Sequence, residues 1–173
     1  SRLHGSGVFA KRDIKEGEFV TFYPCDAFYV GDPVHSGSTA AIRFDDRMSS
    51  EKCEELMKSS AYTLGSCGIG RMFIGDPDVT DDKWFLGHMI NDGVAITQRC
   101  EDMVTQCVVY TRASRARANV EAVYLSVGRQ LCVVAMCANK DVRLGEEVLY
   151  SYDFPYWLSQ VGSECDGEVM KRV

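Results

Sequence analysis

The sequence predicts a mainly β fold with few short helices. Apolar runs are short and bounded by Gly, Asp, Pro and Ser. Only one segment, 49–61, carries a helical pattern. Residues of turn chemistry recur between the runs, and no repeat or low-complexity linker interrupts them.

In chain order, residues 8–10 and 18–23 read as short strands, with turn chemistry between them in Asp13, Lys15, Glu16 and Gly17. Phe28, Tyr29 and Val30 add a strand, and 31–39 is loop-like. The predicted helix over 49–61 opens on serines and acidic residues, then sets Cys53, Leu56, Met57 and Ser60 on one face. Phe73 and Ile74 form a strand, followed by a turn over 75–78. The stretch 99–108 is ambiguous, and 111–119, polar and basic, reads as a loop. Residues 120–127 and 130–135 read as a hairpin turning at Gly128 and Arg129, and 140–145 closes another turn.

The 173 residues suit one domain with a real core, expected to span 1–173. Hydrophobic content of 46% and charged content of 25% are those of a globular chain. No apolar run reaches bilayer length and no signal-peptide pattern opens the chain, so no membrane is expected. Ser1 in place of Met reads as a domain cut from a longer protein. A net charge of −6 argues mildly against nucleic acid and for basic partners; solubility alone is the competing explanation. None of the eight cysteines forms a Cys-x-x-Cys pair, which reads as reduced thiols in an intracellular protein without a metal site.

Three separated motifs carry the functional reading. Gly5-Ser6-Gly7 lets the backbone turn tightly and approach a ligand; alone it is a turn. Leu86 to Gly93 contains His88 and Asn91; alone these are a surface histidine and an Asn turn. Gly145-Glu146-Glu147, four residues, then Tyr152 is the most specific; alone it is a solvated turn before a strand.

In this order, the three together resemble the SET domain, the fold of most protein-lysine methyltransferases. The resemblance implies small β-clip-like sheets and a C-terminal pseudoknot. It implies S-adenosylmethionine as cofactor, with S-adenosylhomocysteine as product. Ser6, Gly7 and Phe9 take the place of the family's cofactor-touching backbone, and His88, Asn91 and Asp92 that of its cofactor-binding motif. Asp92 stands where the family has His and Gly93 where it has Ser; the family's trailing Asn matches Asn119 after an insertion. Tyr152 falls on the catalytic tyrosine, Tyr23 on a tyrosine of the lysine channel, and Tyr150 on a switch where tyrosine favours monomethylation. Trp157 would cover the adenine or the channel, or else be a core tryptophan. The variable insert would be about 26–70 and the C-terminal segment 154–173, without the family's zinc tail.

The chemistry needs such residues. A lysine ammonium, with a pKa of about 10.4, cannot attack until a narrow aromatic channel desolvates it. Tyrosine hydroxyls and backbone carbonyls then align the amine for in-line displacement. An Asp92 carboxylate beside Tyr152 would keep that phenol neutral. The implied substrate is a basic peptide, a histone tail by family frequency, met by a nuclear monomer. The basic residues Arg112, Arg115 and Arg117 read as a solvated loop or a contact to an acidic partner. Asp76, Asp78, Asp81 and Asp82 read as a solvated loop or a site for a basic peptide. Three rival expectations stand beside a histone methyltransferase: a degenerate SET domain that binds peptide or cofactor with little turnover, a non-histone methyltransferase, and a β-rich interaction domain without cofactor.

Overall fold

The computed structural model describes residues 5–30, 40–43, 48–59, 62–65, 71–96, 101–127 and 131–158. The chain forms two compact units. One comprises Ser1–Glu18, Ile90–Glu121 and Ala138–Val173; the other comprises Phe19–Met89 and Ala122–Cys137.

The second unit is built on small antiparallel pairings. Strand β1 (Phe19–Phe22) pairs with β7 (Leu131–Ala138), and β7 neighbours β6 (Val120–Val127), giving the order β1-β7-β6. The register slips between Phe19 and Thr21, a bulge that re-aims the strand just before Tyr23. A second sheet has the order β3-β2-β5-β4, with β2 at Ala27–Val30, β3 at Ala40–Arg43, β4 at Thr63–Gly65 and β5 at Arg71–Ile74. Helix α1 (Ser50–Ser59) starts where the Ser49 hydroxyl accepts the Lys52 N–H at 3.1 Å. Its apolar face sets Cys53 and Leu56 into a core with Ala27, Met48 and Ile74. A second core joins Tyr23, Phe73 and Val134. One turn of 3-10 helix at Gly87–Met89 follows.

In the first unit the N-terminal and C-terminal segments run side by side through isolated bridges. Phe9 pairs with Glu147 and Ile14 with Val142. Hydrogen bonds from Ala10 N–H to the Glu146 carbonyl and from Val148 N–H to the Val8 carbonyl fix that register. Further along the same edge, Leu149 pairs in parallel with Asn91, where the Tyr150 N–H donates to the Asn91 carbonyl. The segment 146–150 is thus tied to two distant pieces of chain.

The structure differs from the sequence reading at several places. Residues 8–10 make one bridge, not a strand, because only Phe9 has a partner in register. The expected loop over 111–119 and the ambiguous 99–108 are in large part helix α2, Met103–Arg117. Its pattern is hidden because it buries only Tyr110 and Ser114, while Val104, Val108 and Val109 are exposed. A local signal existed: Asp102 caps the helix, accepting the Thr105 N–H at 3.0 Å. At the other end, Lys140 Nζ donates to the Ala116 carbonyl at 2.9 Å, completing the last turn. The β7 strand runs to Ala138, three residues beyond the expected end. The expected loop at 31–39, the turn at 128–129, Ser60, the side chains of Cys67, Cys100, Cys132 and Cys165, and the segment beyond 158 lie outside the described residues.

Candidate functional site

The first unit gathers most of the predicted site residues. Gly5 adopts φ +75°, the left-handed region that favours glycine, with open space where a Cβ would stand. This turn presents Ser6 to solvent, and Asn91 Nδ2 donates to the Ser6 carbonyl at 2.7 Å. The same Nδ2 lies 3.1 Å from a Glu147 carboxylate oxygen. Asn91 also accepts the Tyr150 N–H at its carbonyl, at 2.9 Å. One asparagine therefore ties together the glycine turn, the Glu-Glu motif and the tyrosine pair. Phe9 pairs with Glu147 and leaves its side chain partly exposed.

Asn119 stands on the other side of the same segment. It is fully buried; its Nδ2 donates to the Glu147 carbonyl at 2.8 Å and its Oδ1 accepts the Leu149 N–H at 2.7 Å. The residue matched to the motif's trailing Asn is thus bonded to the segment that leads to the tyrosines.

Tyr152 donates its hydroxyl to the Ile90 carbonyl at 2.5 Å. Its ring stacks on Trp157, with centroids 6.3 Å apart, and meets Tyr156 edge-on at 4.7 Å. Tyr150 lies tilted against Tyr152, centroids 6.2 Å apart. Trp157 is itself buried with Tyr110 and Phe154.

Asp92 is the polar centre of this unit and is fully buried. It accepts from five donors: Val94 N–H at 3.0 Å, Ser114 Oγ at 2.8 Å, Tyr152 N–H at 3.1 Å, Trp157 Nε1 at 3.1 Å, and the Tyr110 hydroxyl. The expected phenol partner, Tyr152, is corrected by this geometry. Asp92 holds Tyr152 by its backbone, and the phenol beside the carboxylate is that of Tyr110. Burial first, then the hydrogen bond to Asp92, raises the Tyr110 pKa and keeps it protonated. Sequence reasoning missed Tyr110 and Ser114, although their spacing of four residues on one helix face was a readable signal. Gly93 is explained by the same helix. A Cβ there would stand 2.6 Å from the Cβ of Arg117, whose Nη1 donates to the Gly93 carbonyl at 2.7 Å.

The second unit holds Tyr23 and His88. Tyr23 is buried, its N–H bonded to the Val134 carbonyl at 2.8 Å. His88 is 4% exposed, and neither ring nitrogen has a hydrogen-bond partner among the described residues. It is wedged edge-on against Tyr23 and Tyr62, with centroids 6.4 and 6.3 Å away. Burial lowers its pKa; the carboxylate of Asp26 and the nearby Asp76 pull the other way. Gly87 and Gly75 allow this wedge. A Cβ on Gly87 would meet Tyr23 backbone at 2.8 Å, and one on Gly75 would meet the His88 Cβ at 2.7 Å.

The acidic run divides. Asp76 is buried and paired with Lys52, which also reaches Asp78 at 2.6 Å. Asp81 and Asp82, with Asp26, Pro24, Cys25, Val79 and Phe85, line a cleft of about 440 Å³. The Cys25 thiol there is pushed up to about 11, by burial first and then by Asp26. Among the described residues no cluster of His, Cys, Asp or Glu is placed to hold a metal.

The SET-domain family model matches residues 5–153. The chain belongs to the SET-domain family, whose members are in general protein-lysine methyltransferases that typically use S-adenosylmethionine. A search of curated proteins finds no match. Its few short helices and small antiparallel sheets are those of the mainly β SET fold.

Proposed function

We propose that this chain is an S-adenosylmethionine-dependent protein-lysine N-methyltransferase that mainly adds one methyl group, acting as a monomer on a basic segment such as a histone tail in the nucleus. The observation that carries the reading is Asn91, which joins Ser6, Glu147 and Tyr150 at one point of a SET-family chain. The residues present fit the cofactor. Gly5 and Ser6 leave an open, exposed backbone turn, the Ser6 carbonyl and the Glu147 carboxylate are acceptors for an ammonium group, and Phe9 offers a partly exposed ring for a base. Ser6, Gly7, Phe9 and Asn91, all of the first unit, would hold it. Bound there, S-adenosylmethionine supplies a methyl carbon on a sulfonium.

The rest is alignment by this chain's own groups. Tyr152, locked by Ile90 and Trp157, keeps a phenol at a fixed place. With its O–H donated to the Ile90 carbonyl, the phenol oxygen can accept an N–H of the lysine amine and orient it, and alignment of this kind supplies much of the acceleration. The Tyr150 hydroxyl, beside it, narrows the space for a second methyl and favours a monomethyl product. The cleft bearing Asp26, Asp81 and Asp82 complements a basic peptide.

The test is incubation with labelled S-adenosylmethionine and mixed core histones, followed by mass spectrometry, with Tyr152→Phe alongside. Monomethyl-lysine that falls to a small but measurable residual rate in the variant is expected. Dominant trimethyl-lysine overturns the product assignment, and undiminished transfer by Tyr152→Phe overturns the role of that tyrosine.

A further inference from the structure

We infer that helix α2 is a positioning device for Tyr152, acting through Asp92 and Ser151; the inference rests on the methyltransferase reading above. Two consecutive residues, Ser151 and Tyr152, are held in one conformation. Ser151 Oγ shares a hydrogen bond of 2.7 Å with Ser114 Oγ of α2. The Tyr152 N–H is taken by Asp92 at 3.1 Å. Asp153 follows at φ +71°, the left-handed region that Asp adopts more readily than most non-glycine residues.

What holds Ser151 and Tyr152 comes from α2 and the carboxylate it supports. A buried carboxylate needs its lone pairs filled, and the side-chain hydroxyls that fill them are Tyr110 and Ser114, one turn apart on the helix. Trp157 Nε1 donates to both Asp92 and the Tyr110 oxygen, each at 3.1 Å, so the ring stacked under Tyr152 is held by the same network. Arg117 binds the helix to the Gly93 carbonyl, one residue past Asp92. Neither Tyr110 nor Ser114 is placed to touch a substrate, since both are buried. Their effect on chemistry is to set where the Tyr152 phenol stands.

Loss of the Tyr110 hydroxyl leaves the Asp92 carboxylate short of a donor and free to rotate away from the Tyr152 N–H. A small displacement of an aligning group costs a large share of rate, because misplacement by about 1 Å is worth up to about a hundredfold. Loosening without displacement is expected to lower kcat about tenfold, leaving the KM for S-adenosylmethionine within about twofold.

The experiment is a double-mutant cycle on the whole chain: wild type, Tyr110→Phe, Tyr152→Phe and the double variant. The acceptors are core histones and a random pool of lysine peptides. Rates are normalised to folded protein by the thermal transition, and Ser114→Ala with Ser114→Thr serve as a second pair. Expected is a kcat loss in Tyr110→Phe that vanishes in the Tyr152→Phe background, with Ser114→Thr recovering rate lost in Ser114→Ala. Losses that multiply in the double variant, or a Tyr110→Phe protein that keeps its kcat, overturn the inference while leaving methyl transfer in place. A wild type that transfers no methyl to either acceptor and does not bind S-adenosylmethionine overturns the methyltransferase reading and this inference with it.

Discussion

Asp92 and His88 lie in one short motif, are both buried, and meet the cost of burial in opposite ways. In its unit Asp92 collects five hydrogen-bond donors. In the other, His88 has no partner for either ring nitrogen among the described residues and is held by the edges of Tyr23 and Tyr62. A carboxylate cannot be buried without donors, since desolvating it uncompensated costs far more than folding can spare. An imidazole can be, because it sheds its proton and becomes a polarisable ring. The first site therefore demands a network, while the second bears the smaller desolvation cost of one neutral N–H and one lone pair.

The largest blow to this contrast is Asp92→Ala. It removes the acceptor shared by the Tyr110 hydroxyl, Ser114 hydroxyl, Trp157 N–H and two backbone N–H groups, and should cost about 4 kcal/mol, because each hydrogen bond to a charged acceptor is worth roughly 1.5–3 kcal/mol. Urea unfolding measures it, and a loss below 1 kcal/mol would show the network to be dispensable. Next is Gly87→Ala in the other unit. Its Cβ would meet Tyr23 backbone at 2.8 Å, where nothing flexible can yield, so overpacking should cost about 1–3 kcal/mol. Gly93→Ala should fall in the same range against Arg117 Cβ. If Gly93→Ala instead proves neutral, α2 can shift away and is not fixed to the motif.

A pH titration separates the two residues further. The folded-state pKa of His88 is lowered, so the folded chain binds fewer protons there than the unfolded one. Its stability contribution is full above about pH 6.5 and falls as pH drops below it, with a slope on the order of 1 kcal/mol per pH unit. Thermal unfolding between pH 7.5 and 5 should show that fall, and His88→Phe should flatten it. The smallest expected effect is Ser49→Ala, which removes the α1 cap and should cost about 1 kcal/mol in the second unit alone.

Legibility in the sequence followed the same division. Strands β1, β2, β5 and β6 were readable as short runs of apolar, aromatic and β-branched residues between turn residues, and helix α1 by its serine cap and one apolar face. The three motifs were readable because backbone bonds at Gly5, Asn91 and Glu147 demand particular residue types. Helix α2 was not, since its buried face is a tyrosine and a serine serving one carboxylate, and polar demand leaves no apolar period. The pairing of Asp92 with Tyr152 was foreseen as a meeting of side chains. The contact runs through the peptide N–H instead, and no residue type in the sequence marks a backbone donor.

The close approach of Arg117 to Gly93 bears on how this chain can be re-engineered. Position 93 admits no side chain while the helix is in place, and position 92 admits a carboxylate because the helix is in place. The stretch from 92 to 119 is thus a cassette. Excising 93–119 while keeping Asp92 would strip that carboxylate of its Tyr110 and Ser114 donors. Transplanted without its aspartate, the cassette would leave two hydroxyls facing nothing. Swaps among SET domains at this point should move the whole cassette or none of it.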